Sequence, residues 1–174
     1  MKFIIKKGEH FSSPERITKK IFDFINLQGY KGFWTKFDES CLYDLGSEDQ
    51  SDINKLFGIS SGFHHNNSAR FGWRADGNII KLSSYCYING ERKSKDLIDL
   101  RLGQWYKLSI SIRPGAYLFE VEDQEKSLFS YFVGTNRRFY WGYNLWPYFG
   151  GNQTAPHNMV IELEDFDPYF QGRI

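Results

Sequence analysis

Apolar and polar residues alternate over most of this chain, and the alternation keeps stopping at glycine, proline, asparagine or aspartate. A period of two puts successive side chains on opposite faces of a strand, so the pattern predicts short strands joined by turns. The cleanest run is Trp105–Ile112, with Tyr106, Leu108, Ile110 and Ile112 set to point inward and Lys107, Ser109 and Ser111 set to face water. Arg113-Pro114-Gly115 turns the chain, after which Tyr117, Phe119 and Val121 oppose Leu118, Glu120 and Glu122. Asn78–Ile88 carries Ile80, Leu82, Ser84, Cys86 and Ile88 on one side, and Ile79, Lys81, Ser83, Tyr85 and Tyr87 on the other. It lies between Asp76-Gly77 and Asn89-Gly90, dipeptides that tolerate the positive φ angles of tight hairpin turns.

The same reading predicts strands over Met1–Lys6, Gly29–Phe37, Ser68–Arg74, Lys93–Leu102, Lys126–Val133 and Arg138–Tyr148. Ile17–Leu27 satisfies helical and strand spacing alike, and the strand-rich surroundings favour strand. Asp38–Asp52 is polar and predicts a loop, with a short helical turn around Asp52–Phe57 and a turn-rich connection after Gly58. In Tyr143–Leu163 an aromatic run breaks at Gly150-Gly151 and restarts as Met159, Ile161 and Leu163 against Val160, Glu162 and Glu164. That predicts two late strands of a sheet, with Asn152, Gln153, Thr154 and His157 on the loop between them. Ten or so short strands separated by turn residues is the pattern of a β-sandwich. No repeat, linker or low-complexity tract divides residues 1–174, so one domain is expected.

Composition sharpens this picture in a few places. Aromatic residues make up 18% of the 174 residues, with 16 Phe and 11 Tyr, and they suit the half-buried, pleated surface of a sheet. The 22 basic and 21 acidic residues leave a net charge of +1, which gives no long-range field to draw the chain to nucleic acid. No apolar run reaches membrane-spanning length and no charged-then-apolar leader is seen, so membrane insertion and signal-driven export are not expected. Cys41 and Cys86 lack a Cys or His at metal-ligand spacing and, without a leader, predict free buried thiols.

Gln104–Asp123, with Gly103-Gln104-Trp105-Tyr106, Leu108-Ser109-Ile110-Ser111-Ile112 and then Tyr117-Leu118-Phe119-Glu120-Val121-Glu122-Asp123, resembles the middle of a concanavalin A-like jelly roll. That superfamily includes laminin-G-type and legume lectins, glucanases and alginate-type lyases. Leu145–Leu163 is similar to the closing strands of such folds. The blocks DQSDINKLFG (Asp49–Gly58), HHNNSARFGWR (His64–Arg74) and PYFGGNQTAPHNMVIEL (Pro147–Leu163) resemble an uncharacterised family found largely in tailed bacteriophages and bacteria. The resemblance implies an all-β, concanavalin A-like jelly-roll sandwich of two antiparallel sheets, and a virion or adhesion role.

Several chemistries can be weighed on that scaffold. Glycoside hydrolysis needs two carboxyl groups flanking the scissile bond. The glucanase strand of this superfamily sets its acids apart with apolar residues, whereas Glu120-Val121-Glu122-Asp123-Gln124-Glu125 runs into a turn, and Glu162 and Glu164 fit a solvated strand face. A polysaccharide lyase needs a proton abstractor and groups that neutralise the uronate carboxylate. Arg70, His64, His65, Tyr85 and Asn152 supply those types, but the lyase families' Gln-Ile-His and Tyr-Phe-Lys motifs are missing, and Ser68–Arg74 only loosely echoes their Arg-rich strand motif. His64, His65 and His157 could reach a zinc ion only from a loop, because neighbours on a strand face opposite ways, and no fourth ligand is evident. Asp44, Glu48, Asp49 and Asp52 cluster without the alternating acids of a calcium loop.

Sugar binding uses aromatic rings as platforms and forked polar groups for hydroxyls. The candidate binding residues are therefore His64, His65, Arg70, Trp73, Trp146, Tyr148, Asn152 and His157. The expected function is a non-catalytic jelly-roll protein serving as a bacteriophage virion component (capsid decoration, fibre or tail module) or a surface-binding module. A lectin-type carbohydrate-binding domain and a polysaccharide-lyase-like protein are the alternatives. Expected partners are other virion proteins or a surface glycan, with self-assembly left open, and without nucleic acid, metal or cofactor. The expected location is the virion or the host cytoplasm.

Overall fold

The computed structural model describes residues 1–14, 25–136 and 138–165. In chain order the strands are β1 Lys2–Ile5, β2 Ser12–Pro14, β3 Ile25–Asn26, β4 Tyr30–Phe37, β5 Asn54–Ser60, β6 Ser68–Asp76, β7 Ile79–Ile88, β8 Glu91–Arg101, β9 Tyr106–Arg113, β10 Ala116–Glu122, β11 Leu128–Gly134, β12 Gly142–Leu145 and β13 Met159–Asp165. Single turns of 3-10 helix occupy Glu39–Cys41 and Glu48–Ser51. Two antiparallel sheets result: a seven-stranded one ordered β11-β10-β9-β4-β13-β1-β2, and a six-stranded one ordered β3-β12-β5-β6-β7-β8.

The predicted alternation decides which side chains meet between the sheets. Leu108 and Ile110 of β9, Tyr117, Phe119 and Val121 of β10, and Met159, Ile161 and Leu163 of β13 are buried from the seven-stranded side. Ala69, Phe71 and Trp73 of β6 and Ile80, Leu82 and Cys86 of β7 are buried from the six-stranded side. Phenylalanine rings stitch the layers together. Phe33 meets Phe57 edge-on at 4.9 Å, Phe57 tilts against Phe71 at 5.5 Å, and Phe71 meets Phe119 edge-on at 5.1 Å. Edge-to-face geometry lets the positive ring edge meet the negative face, which adds about 0.5–1.5 kcal/mol per pair beyond burial.

Several sequence expectations need correcting. The helical turn expected at Asp52–Phe57 lies upstream, at Glu48–Ser51, and β5 takes Asn54–Ser60 instead. A bulge between Lys55 and Gly58 hides this strand from a period-two reading, because Leu56 and Phe57 are both buried. The late segment does not form neighbouring strands: β12 joins the six-stranded sheet and β13 the seven-stranded one, so the polar loop between them crosses from layer to layer. Ser109 and Ser111 are buried, since β9 is flanked by β4 and β10, and Ser109 Oγ donates to Glu120 Oε2 at 3.2 Å. Most of the strand expected over residues 17–27 lies outside the described residues; Ile25–Asn26 within it is β3. Cys41 and Cys86 are free and buried.

Candidate functional site

Facing away from the core, the six-stranded sheet carries a cleft of about 650 Å³. Its floor follows from strand register. Arg70 of β6 sits opposite Tyr85 of β7 on one side and Gly58 of β5 on the other, and side chains at paired positions share a face. With Ala69 and Phe71 committed to the core, Arg70 must point outward. Tyr87 lies two residues beyond Tyr85 on the same face, and Lys55 of β5 pairs with Gly72. Tyr143 and Leu145 of β12, the Pro147-Tyr148 segment, the Gly150-Gly151 turn and Phe11 complete the walls, and His64 and His65 stand at one end.

Gly58 makes the floor possible. A Cβ there would collide with the Ala69 carbonyl oxygen and come within 2.6 Å of Arg70 Cγ. Because that Cβ is absent, the Arg70 side chain can lie towards β12, where its Nη2 donates to the Trp146 carbonyl oxygen at 2.7 Å. Tyr148 is fixed by two backbone hydrogen bonds with Lys55, of 2.8 and 2.9 Å. The Lys55 ammonium donates to the Gly150 carbonyl at 2.8 Å and stands 5.0 Å from the Tyr85 ring centre and 5.7 Å from that of Tyr148. His10 stacks on Tyr148 at 5.1 Å, and Phe11 meets it edge-on at 5.0 Å.

Burial and crowding of positive charge set the electrostatics. Burial, with smaller contributions from Arg70 and Arg92 and partly offset by the Asp52 carboxylate, lowers the Lys55 pKa to about 8. Burial also lowers that of Arg70 to about 10, partly offset by Tyr85, Tyr148 and Tyr143. His64 falls below the usual histidine value, first through burial and then through His65 and Arg70. Its Nδ1 is in hydrogen-bond contact with the Tyr143 hydroxyl, and Ser68 Oγ ties the His64 carbonyl down at 2.8 Å. The His64 and His65 rings lie 4.1 Å apart on a loop, yet no group of three or more His, Cys, Asp or Glu among the described residues is placed to hold a metal ion.

Of the residues singled out from sequence, the cleft gathers His64, His65, Arg70, Trp146 and Tyr148. Trp146 contributes its carbonyl; its ring stacks on Phe3 at 5.5 Å, towards the core. Trp73 is wholly buried against Phe37 and Phe149. Asn152 is exposed just past the Gly150-Gly151 wall, and His157 is bound elsewhere, through Nε2, to the Ser40 carbonyl at 2.8 Å. Lys55, Tyr87, Tyr143 and Phe11 were not singled out as binding residues. The alternating pair Tyr85 and Tyr87 on an outward strand face was the available signal. The carboxylates considered for glycoside hydrolysis lie on the other sheet, where Glu122 pairs with Lys107 and Glu162 with Lys36.

Similar folds are known among solved structures. A functionally unknown protein from Saccharomyces cerevisiae superposes with a TM-score of 0.51 at 10% identity, over 79% of this chain and 66% of that one. A polysaccharide lyase of family 18 gives 0.49 at 9% identity, over 92% of this chain and 83% of that one. The enzymatically active domain of tailspike protein 2 of bacteriophage CBA120 gives 0.47 at 12%, over 85% of this chain and 24% of that one. The fold is a jelly-roll β-sandwich. At such identities only the architecture is shared. No protein family matches the sequence, and no curated protein does.

Proposed function

We propose that this jelly-roll protein is a non-catalytic surface-binding module that holds a glycan in the cleft of its six-stranded sheet. One observation carries the reading: tyrosines 85, 87, 143 and 148 line an open trough together with Arg70 and Lys55. Rings give flat apolar contact to sugar faces while hydroxyl, guanidinium and ammonium groups serve the sugar oxygens. The trough sits on β-strands and on a loop pinned from both sides, so little ordering accompanies binding.

The two distinctive sequence blocks converge here. His64–Arg74 supplies His64, His65, Ser68 and Arg70, and Pro147–Leu163 supplies Pro147, Tyr148, Gly150 and Gly151. Their resemblance to bacteriophage-encoded proteins supports the setting we propose, a virion component that attaches a particle to a surface. A regular copy number in purified particles is the expected result for that setting.

Binding itself is tested on a glycan array followed by titration calorimetry. Tyr85→Ala and Tyr148→Ala should each weaken binding about tenfold, equivalent to ~1.4 kcal/mol, while Glu162→Gln on the other sheet leaves it unchanged. Binding that ignores both tyrosines would sink the reading. A second reading, lyase-like chemistry, is favoured by the contact between His64 Nδ1 and the Tyr143 hydroxyl beside Arg70, a pair able to pass a proton. Unsaturated sugar ends accumulating in ultraviolet absorbance, and disappearing in His64→Ala, would establish it.

A further inference from the structure

Several cations on the sheet faces of this protein are answered by acids. Arg74, four residues from Arg70 on the same strand and the same face, makes a two-pronged contact with Asp96 at 2.7 and 2.6 Å. Lys81 lies 3.3 Å from both Asp76 and Asp99, Lys36 2.9 Å from Glu162, and Lys107 3.1 Å from Glu122. The two cleft cations have no such acid beside them. Arg70 uses one N–H on the neutral Trp146 carbonyl, and its buried Nε has no partner. Lys55 donates to the neutral Gly150 carbonyl. Among the described residues no carboxylate lies within ion-pair distance of either.

Placing two positive charges side by side in a half-buried cleft, each raising the cost of the other, is unfavourable for the free protein. A ligand that brought negative charge would relieve that cost, whereas a neutral one would not. Resting on the reading of the cleft as a glycan site, we propose that the ligand is an acidic sugar whose carboxylate docks on Arg70 and Lys55. The planar guanidinium offers parallel N–H donors at carboxylate spacing, and the ammonium supplies a point charge beside it. The surrounding tyrosines hold the ring and its hydroxyls. A polyanion such as nucleic acid is a poorer fit, because the chain as a whole carries a net charge of only +1 and so lacks the field that gathers a phosphate backbone.

The decisive comparison changes the ligand and leaves the protein intact. Uronate oligosaccharides, and the same oligosaccharides with their carboxyl groups reduced to primary alcohols, are titrated into the full chain beside neutral glucan oligomers, dextran sulfate and a single-stranded DNA oligomer. The expected result is uronate binding that weakens at least about thirtyfold on carboxyl reduction, in line with losing a charge-assisted, two-pronged contact. Lys55→Gln should weaken uronate binding about fivefold and Arg70→Lys about tenfold, while Lys36→Gln leaves it unchanged. Lys55→Gln keeps the test open if substitution at Arg70 disturbs folding.

Equal affinity for the intact and the reduced oligosaccharide, or binding of neutral glucans alone, overturns the acidic-ligand proposal and leaves the glycan-binding reading standing. Tighter binding of dextran sulfate or DNA than of any uronate overturns it in favour of general polyanion attraction. Failure of every glycan to bind removes the glycan reading and the proposal with it.

Discussion

Lys55 shows how one residue reports on the whole cleft. Its ammonium is charged in both folded and unfolded chains below about pH 8, and there the folded state bears the cost of holding it. Between about 8 and the ordinary 10.5 the folded chain has released a proton that the unfolded chain still holds, so stability rises with pH across that window. Above 10.5 the contribution is constant. Thermal melts of wild type and Lys55→Met should therefore converge between pH 8 and 10, with the wild type gaining on the variant; a difference flat across that window contradicts the account. Pairing the two chains cancels the background from Tyr85, whose pKa burial raises. No sequence rule marks Lys55 as unusual, since its character comes from Tyr85, Tyr148 and Arg70, which lie far from it along the chain. Trp73 teaches the converse. In sequence it is as good a sugar platform as any tryptophan, yet strand phase places it beside Ala69 and Phe71 in the core.

At the scale of elements, the β6-β7-β8 meander was legible almost residue by residue. Its turns carry the positive φ angles that their sequences favour: 59° at Gly77, 52° at Asn89 and 83° at Gly90. Strand β5 was not legible, because a bulge puts two consecutive residues into the core and breaks the alternation that reveals a strand. That same strand carries Gly58, whose bare backbone gives Arg70 its path. Gly58→Ala should force Arg70 off the Trp146 carbonyl, destabilise the protein by about 1–3 kcal/mol as overpacking does, and weaken ligand binding more than that loss of stability explains. Melts and titrations on the one variant check both parts. Unchanged affinity would show that the Arg70 path does not depend on Gly58.

For the molecule as a whole, the two thiols measure how tightly the layers close. Cys86 is buried in β7, and its pKa is pushed up to about 12 by loss of solvent; Cys41, whose Sγ donates to the Val160 carbonyl at 3.2 Å, is raised further still. Thiolate is the reactive form, so neither residue should react with a disulfide reagent while the sandwich is intact. Labelling in increasing denaturant should rise together with the loss of tryptophan fluorescence; labelling of either thiol well before it would reveal a separate opening of the sheets. What the sequence determined by itself was local: which alternating stretches are strands, where they turn, and which face of each carries the apolar residues, because alternation and turn chemistry act over a few neighbours. It also marked Arg70, His64, His65 and Tyr148 as chemically interesting. Strand order, the parting of β12 and β13 into opposite sheets, and the meeting of Lys55, Arg70 and four tyrosines in one trough were settled only by tertiary pairing. Those contacts join positions far apart in the chain, about ninety residues between Lys55 and Tyr148 and about 160 between Lys2 and Glu162, and only the register between strands decides which outward side chains become neighbours.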